Sequence, residues 1–231
     1  MPRTKEQNEK IRKDKKERIL DAALSLYVRF GYNGTDMDEV AGNAGVAKGL
    51  VYYYYKTKND LFRELFDMAA EKAADFSRTF YKASENMNPV GKLVKYSAGI
   101  FGMTLGDPRL IRFAMRMPFD AYAVFGPEEW GKGLAVSAEH RENLEKIIAS
   151  GMEEGSMKCT DAASGANSFW TVYAANLFSF TGMMAGRGYE DKRHDRIDLI
   201  EGMLAFGMAG LGVDEMAWKK ELAGLTAERR I

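Results

Sequence analysis

Few residues of this 231-residue chain stand at spacings that suggest chemistry, and most of them lie between Thr35 and Phe62, in TDMDEVAGNAGVAKGLVYYYYKTKNDLF. Lys48, Tyr52, Tyr53 and Lys58 are donors of the kind that bind phosphate oxygens. Among them stand Gly49, which has no side chain to hold a partner away, and Leu50, which offers only an apolar contact such as one to a thymine methyl. Thr35 and Thr57 stand where a hydroxyl can cap a helix and also touch a phosphate. At about 100° per residue, Lys48, Gly49, Tyr52 and Tyr53 share one side of a helix over 47–55, and Ala47, Val51, Tyr54 and Tyr55 share the other. The first side is expected to face DNA, and Tyr54 and Tyr55 on the second are expected to pack inward.

Other chemistries find little support. Gly131-Lys132-Gly133 sits in a helical pattern and lacks the third glycine of a phosphate loop, and there is no HExxH. Cys159 is the one cysteine, so neither an internal disulfide nor a cysteine zinc site can form. His194 and Asp198 stand at i, i+4, but two residues make no metal site; that pair, and His140 between Glu139 and Arg141, are expected at the surface. No acid–base or nucleophile set emerges, so the chain is expected to be no enzyme and to need no metal or cofactor. The net charge is zero, and a DNA-binding surface must come from local segregation of charge. Residues 1–18 carry eight Lys or Arg against four Asp or Glu. No apolar stretch resembles a secretory signal or approaches the length of a bilayer span, so the chain is expected to be cytoplasmic, without a membrane partner. The glycosylation triplet Asn33-Gly34-Thr35 is then a coincidence.

These positions need a scaffold, and the hydrophobic spacing predicts one. Residues 1–14 are polar and are expected to form a basic flexible arm. From about Lys15, a face of Ile19, Ala22, Ala23, Leu26, Tyr27 and Phe30 marks a helix that Gly31 ends. Thr35 is the expected cap of a second helix, with Asp38 at the reciprocal position of a capping box and Met37, Val40, Ala41 and Ala44 on its inner face. Gly45 breaks it, and the helix over 47–55 follows. Thr57, with Asp60 three residues on, starts a fourth helix over 58–84, long enough to connect two modules. Two short helices across a glycine turn, apolar inside and donor-bearing outside, meet the needs of a helix-turn-helix, which sets its second helix in the major groove. Further helices are predicted at 90–105, 108–117, 127–154, 161–185, 195–211 and 214–228, with a loop at 118–126. No strand-like alternation stands out. The fold class is all-α, with a three-helix helix-turn-helix domain at 15–62 joined to a larger helical domain at 63–231.

The run KERILDAALSLYVRFGYNGTDMDEVAGNAGVAKGLVYYYYKTKNDLF, Lys16–Phe62, resembles the N-terminal domain of TetR-family transcriptional regulators. The order is the same: an amphipathic helix, an F-G-Y turn, a threonine-capped helix, A-G-V, a tyrosine-rich recognition helix, then K-[ST]-K-x-x-L-F. The resemblance implies DNA contacts at Thr35, Lys48, Tyr52, Tyr53 and Lys58. The family often has Ser or Thr where this chain has Ala47, Thr at Leu50 and Phe at Tyr55, departures that bear on the operator sequence rather than the fold. The resemblance also implies an effector cavity among the middle helices and a dimer.

In the larger domain, aromatics and methionines crowd the region 101–130 and can line an adaptable apolar pocket, or form an ordinary core. The effector candidates are Phe101, Phe113, Met117, Tyr122, Trp130 and Trp170, with Tyr173 and Asn176 for polar contacts. They suit a mostly apolar or aromatic small molecule. The predicted helices 161–185 and 195–211 are apolar on more than one side and so need neighbours all round. Phe169, Leu177, Phe178, Ile200, Leu204 and Met208 are the candidates for a twofold four-helix homodimer interface. A dimer presents two recognition helices to a palindromic double-stranded operator. The expected function is a ligand-responsive repressor. The alternatives are a DNA-bound regulator controlled by a partner protein, and a helical small-molecule carrier or enzyme, against which the missing acid–base set argues.

Overall fold

The structure is a computed structural model and describes residues 4–186 and 193–227. Its elements are α1 (Lys5–Gly34), α2 (Met37–Ala44), α3 (Lys48–Tyr54), α4 (Lys58–Ser84), α5 (Pro89–Gly106), α6 (Pro108–Phe125), a 3-10 turn (Trp130–Leu134), α7 (Ala135–Glu153), α8 (Ala162–Gly186), α9 (Arg193–Gly210) and α10 (Glu215–Ala227). The chain is all-α, and no strand occurs among the described residues. None of its described helices is long and apolar enough to cross a membrane.

Two compact units share these helices. The first holds residues 1–71 and 116–135, the second 72–115 and 136–231, so the division falls inside α4 and inside α6. In the first unit, α1 packs on α2 and α2 on α3. Its centre is aromatic: the Tyr27 ring lies 5.4 Å from Phe62 and 6.0 Å from Phe66, and Phe66 lies 5.4 Å from Phe125 of α6. Tilted and edge-on ring pairs at such distances add to the gain from burial itself. In the second unit, α8 packs on α9, and α10 on α5 and α9, around a core that includes Phe101, Leu144, Leu177, Ile200 and Met208.

Three expectations give way to local physics. The stretch expected as a flexible arm is helical from Lys5, because Thr4 and Gln7 form a capping box: the Gln7 amide donates to the Thr4 hydroxyl at 3.2 Å, and the Thr4 amide to the Gln7 side chain at 3.1 Å. At Gly31 (φ 75°, ψ −176°) the helical backbone of α1 breaks, as expected, and a short helical turn follows up to Gly34. The loop expected at 118–126 is helix, since α6 runs through Pro118. Burial of Met117, Ala121 and Val124 at i, i+4 and i+7 offsets the lost backbone bond. The single helix expected over 127–154 is instead a turn, a 3-10 segment and α7; there Gly133 comes so close to Ala121 that a Cβ on it would lie 2.3 Å from the Ala121 methyl.

His140, expected at the surface, is buried. The Tyr96 hydroxyl and the His140 Nδ1 share a hydrogen bond at 2.6 Å, and the imidazole stacks on Trp170 at 4.5 Å. Asn143 donates to Ser77 Oγ at 2.6 Å and to the Tyr96 hydroxyl at 3.5 Å. The partner of His140 on α5 lies 44 residues away, so its charged sequence neighbours gave a misleading signal. The expected His194–Asp198 pair lies partly outside the described side chains. Burial lowers the His140 pKa from 6.5 to about 4. The unfolded chain therefore takes up a proton between those values that the folded chain refuses, and stability falls as pH drops through that window. The loss approaches about 3 kcal/mol. Urea unfolding at pH 7 and pH 4.5 should show a shallower pH dependence for His140→Gln than for the wild type; parallel behaviour would rule out this burial effect.

Candidate nucleic-acid interface

The first unit presents a short helix on a firm base. α2 begins at Asp36, whose carboxylate accepts from the amides of Asp38 at 2.7 Å and Glu39 at 3.4 Å. Thr35, the expected cap, instead donates its hydroxyl to the Gly31 carbonyl at 2.7 Å and is buried. The kinked end of α1 leaves that carbonyl free to accept, so Thr35 closes the corner between α1 and α2.

α2 ends at Gly45 in the left-handed region (φ 61°). The Gly45 amide bonds Gly42 O at 3.1 Å and the Val46 amide bonds Ala41 O at 3.0 Å, the paired closure that a left-handed residue makes possible. Arg18 Nη2 donates to the Gly45 carbonyl at 3.3 Å and occupies the space that a Cβ at Gly45 would need, 2.7 Å away. α3 has no side-chain cap, since Ala47 stands at its N-cap. What holds it is burial of Val51 and Tyr55, while Tyr54 is half-buried, its ring 5.9 Å from the Arg12 guanidinium. Burial, with Glu64 nearby, raises the Tyr55 pKa and keeps the phenol neutral.

The opposite side of α3 is open. Lys48, Gly49, Tyr52 and Tyr53 are exposed, and Leu50 is half-buried. Nothing lies within 4 Å of a Cβ built on Gly49, so the backbone there can be approached closely. Lys48 bonds Asp38 at 2.6 Å, which raises its pKa, and its ammonium sits 5.8 Å from the Tyr52 ring. Thr57 and Asp60 form a reciprocal cap on α4, at 2.9 and 3.1 Å, and Thr57 remains exposed. Lys58 lies 4.5 Å from the centre of the Tyr32 ring and donates to Asn33 O at 3.4 Å; burial lowers its pKa.

Some supports had no local sequence signal. Asp38 reaches Lys48 from the neighbouring helix. Arg63 bonds Glu129 at 2.7 Å and Phe125 O at 3.0 Å, and Asn59 donates to Val124 O at 3.3 Å, all across more than sixty residues. The effector candidates divide between the units. Phe101, Phe113, Trp170 and Tyr173 are buried in the second, where Tyr173 donates to Ser97 O at 2.6 Å, and Asn176 is exposed there. Met117 is buried in the first unit, with Tyr122 and Trp130 on its surface. Of the dimer candidates, Phe169, Leu177, Ile200, Leu204 and Met208 are buried within the second unit's own core, and Phe178 is exposed.

The turn can be tested directly. Gly45→Ala puts a side chain in left-handed backbone and against Arg18, and should lower stability by about 1–2 kcal/mol in urea unfolding. An unchanged midpoint would mean that the turn relaxes freely.

Residues 19–65 match the family model described as bacterial regulatory proteins, tetR family. The chain is 40% identical over 76 residues to the HTH-type transcriptional regulator YhgD of Bacillus subtilis, covering 33% of this chain and 37% of that protein. It is 29% identical over 94 residues to the regulator AcrR of Shigella flexneri, covering 41% and 43%. The chain thus spans less than half the length of these curated relatives. Among solved structures, MbdR from Azoarcus sp. CIB superposes with a TM-score of 0.68 at 21% identity, over 85% of this chain and 98% of that one. FadR from Bacillus subtilis in complex with stearoyl-CoA gives 0.62 at 21% identity, over 84% and 98%. The helix-turn-helix head thus matches the model of the bacterial regulatory proteins of the tetR family, and the chain shares its all-helical fold with solved structures of such regulators.

Proposed function

We propose that this protein is a ligand-responsive transcriptional regulator, a repressor that binds a palindromic operator as a homodimer and leaves it when a small apolar or aromatic effector binds. The observation that carries the reading is the divided α3, with Val51 and Tyr55 buried and Lys48, Gly49, Tyr52 and Tyr53 open. A major groove admits one such helix. The names of relatives support it, among them the negative regulator IcaR of Staphylococcus epidermidis, 30% identical over 61 residues.

In this reading Lys48, Tyr52 and Tyr53 meet DNA from α3, with Leu50 at its edge and Thr57 and Lys58 from the start of α4. Thr35 acts from inside, by holding the corner before α2. The dimer forms through the outer faces of α8 and α9, where Ala175, Phe178, Gly202, Ala205, Phe206 and Ala209 are exposed. The effector site lies in the second unit, near the buried Phe101, Trp170 and Tyr173. FadR, which shares the fold, was solved with stearoyl-CoA, and that supports a long apolar ligand. The effector releases DNA only by binding the DNA-incompetent form more tightly.

Footprinting at low salt on the region upstream of the protein's own gene should give a protected palindrome; no protection sinks the repressor reading. Lys48→Ala should weaken operator binding by about tenfold, within the range of one good base or phosphate contact. Asp38→Asn should strengthen it several-fold, because it frees the Lys48 ammonium and removes a carboxylate from the DNA side. An Asp38→Asn protein that binds no better would show that Lys48 does not act as a cation there.

Apolar and aromatic compounds, long-chain acyl-CoA among them, should raise the melting temperature and release the operator. At a hundred times its dissociation constant a ligand stabilises by about 2.7 kcal/mol. A screen in which no compound shifts the melting curve would favour control by a partner protein.

A further inference from the structure

The reader itself is not basic. Residues 19–65, which make up the matched head, hold five Lys or Arg against six Asp or Glu. Lys48 is paired with Asp38 and Arg63 with Glu129, and Lys58 lies over the Tyr32 ring. Such a surface offers a polyanion hydrogen-bond donors but no net positive charge. Nonspecific DNA affinity comes from cations that displace counterions from phosphates, and the matched head supplies no excess of them.

The excess stands immediately before it. Residues 4–18 carry seven Lys or Arg against four Asp or Glu, and they form the first half of α1. At 1.5 Å per residue this half helix is about 20 Å long. It is anchored to the reading elements at three points. Tyr54, the last residue of α3, donates its hydroxyl to the Arg12 carbonyl at 3.5 Å. Lys16 bonds Glu64 at 2.7 Å, and Arg18 donates to the carbonyl of Gly45 in the turn. Lys5 and Lys10 are exposed and Lys15 is half-buried, and none of the three has an acidic partner among the described residues.

We infer that the first half of α1 is a second DNA-binding element, which grips the phosphate backbone beside the groove occupied by α3 and supplies most of the sequence-independent affinity. The inference rests on the DNA-binding reading above and extends it. α3 selects the site, while the preceding helix provides attraction and holds the register.

The test uses the full-length protein and two labelled probes, a 30-base-pair duplex of arbitrary sequence and the upstream region of the gene, titrated between 50 and 200 mM KCl. The variant is Lys5→Gln/Lys10→Gln/Lys15→Gln, since glutamine keeps the helix. The control is Lys82→Gln/Lys158→Gln/Lys220→Gln, which changes net charge equally in the second unit. The slope of log K against log salt should flatten by about 2 to 3 for the α1 variant, near 0.9 for each phosphate that is no longer neutralised. Binding of both probes should weaken by a similar factor, and the control should keep the wild-type slope. A wild-type slope in the α1 variant overturns the inference while leaving the DNA-binding reading intact, as does equal flattening in the control. A wild-type protein that binds neither probe overturns both.

Discussion

Seven residues make a helix too short to hold itself in water, so the orientation of α3 depends on what it buries. Val51 and Tyr55 are that purchase, four residues apart and both out of solvent. Everything on the open side inherits its direction from them. The base beneath is equally constrained: Tyr27, Phe62 and Phe66 join α1 to α4, and Phe125 seals them from α6. A loss of volume at any of these rings would tilt the open face without touching a residue on it.

The head carries acid close to the face proposed for DNA. Asp36 and Asp38 are there for structural reasons, one capping α2 and the other in its first turn, where a carboxylate complements the helix dipole. The same charges oppose a polyanion. Asp38 resolves part of this conflict by pairing with Lys48, which keeps the lysine extended along the outer side of the turn until a better partner arrives. In the proposed reading, helix stability and attraction to DNA are served by different segments of one unit.

How much of this was legible in the sequence depended on how local the cause was. The turn at Gly45, the two faces of 47–55 and the Thr57–Asp60 cap are written within a few residues and could be found there. Thr35 and Asp36 are both competent caps for α2, and only the free Gly31 carbonyl decides between them. The helical start at Lys5 was signalled by Thr4 and Gln7, but the density of charge outweighed that signal. Pro118 reads as a break unless the burial of Met117, Ala121 and Val124 around it is known. In α8 and α9, apolar residues on every side left no pattern to say which would be used inside the protomer. Long-range attachments such as Asn59 to Val124 have no local signature at all.

The three tryptophans fall unevenly across the fold. Trp130 stands alone in the first unit and is half open to water, whereas Trp170 and Trp218 are buried in the second. Indole emission shifts with the polarity around the ring, so the intrinsic fluorescence of the unlabelled protein contains two spectrally separable reporters. The red component follows the unit that carries α3 and the blue component follows the other, which makes the order of events in the two units observable in a single stopped-flow trace.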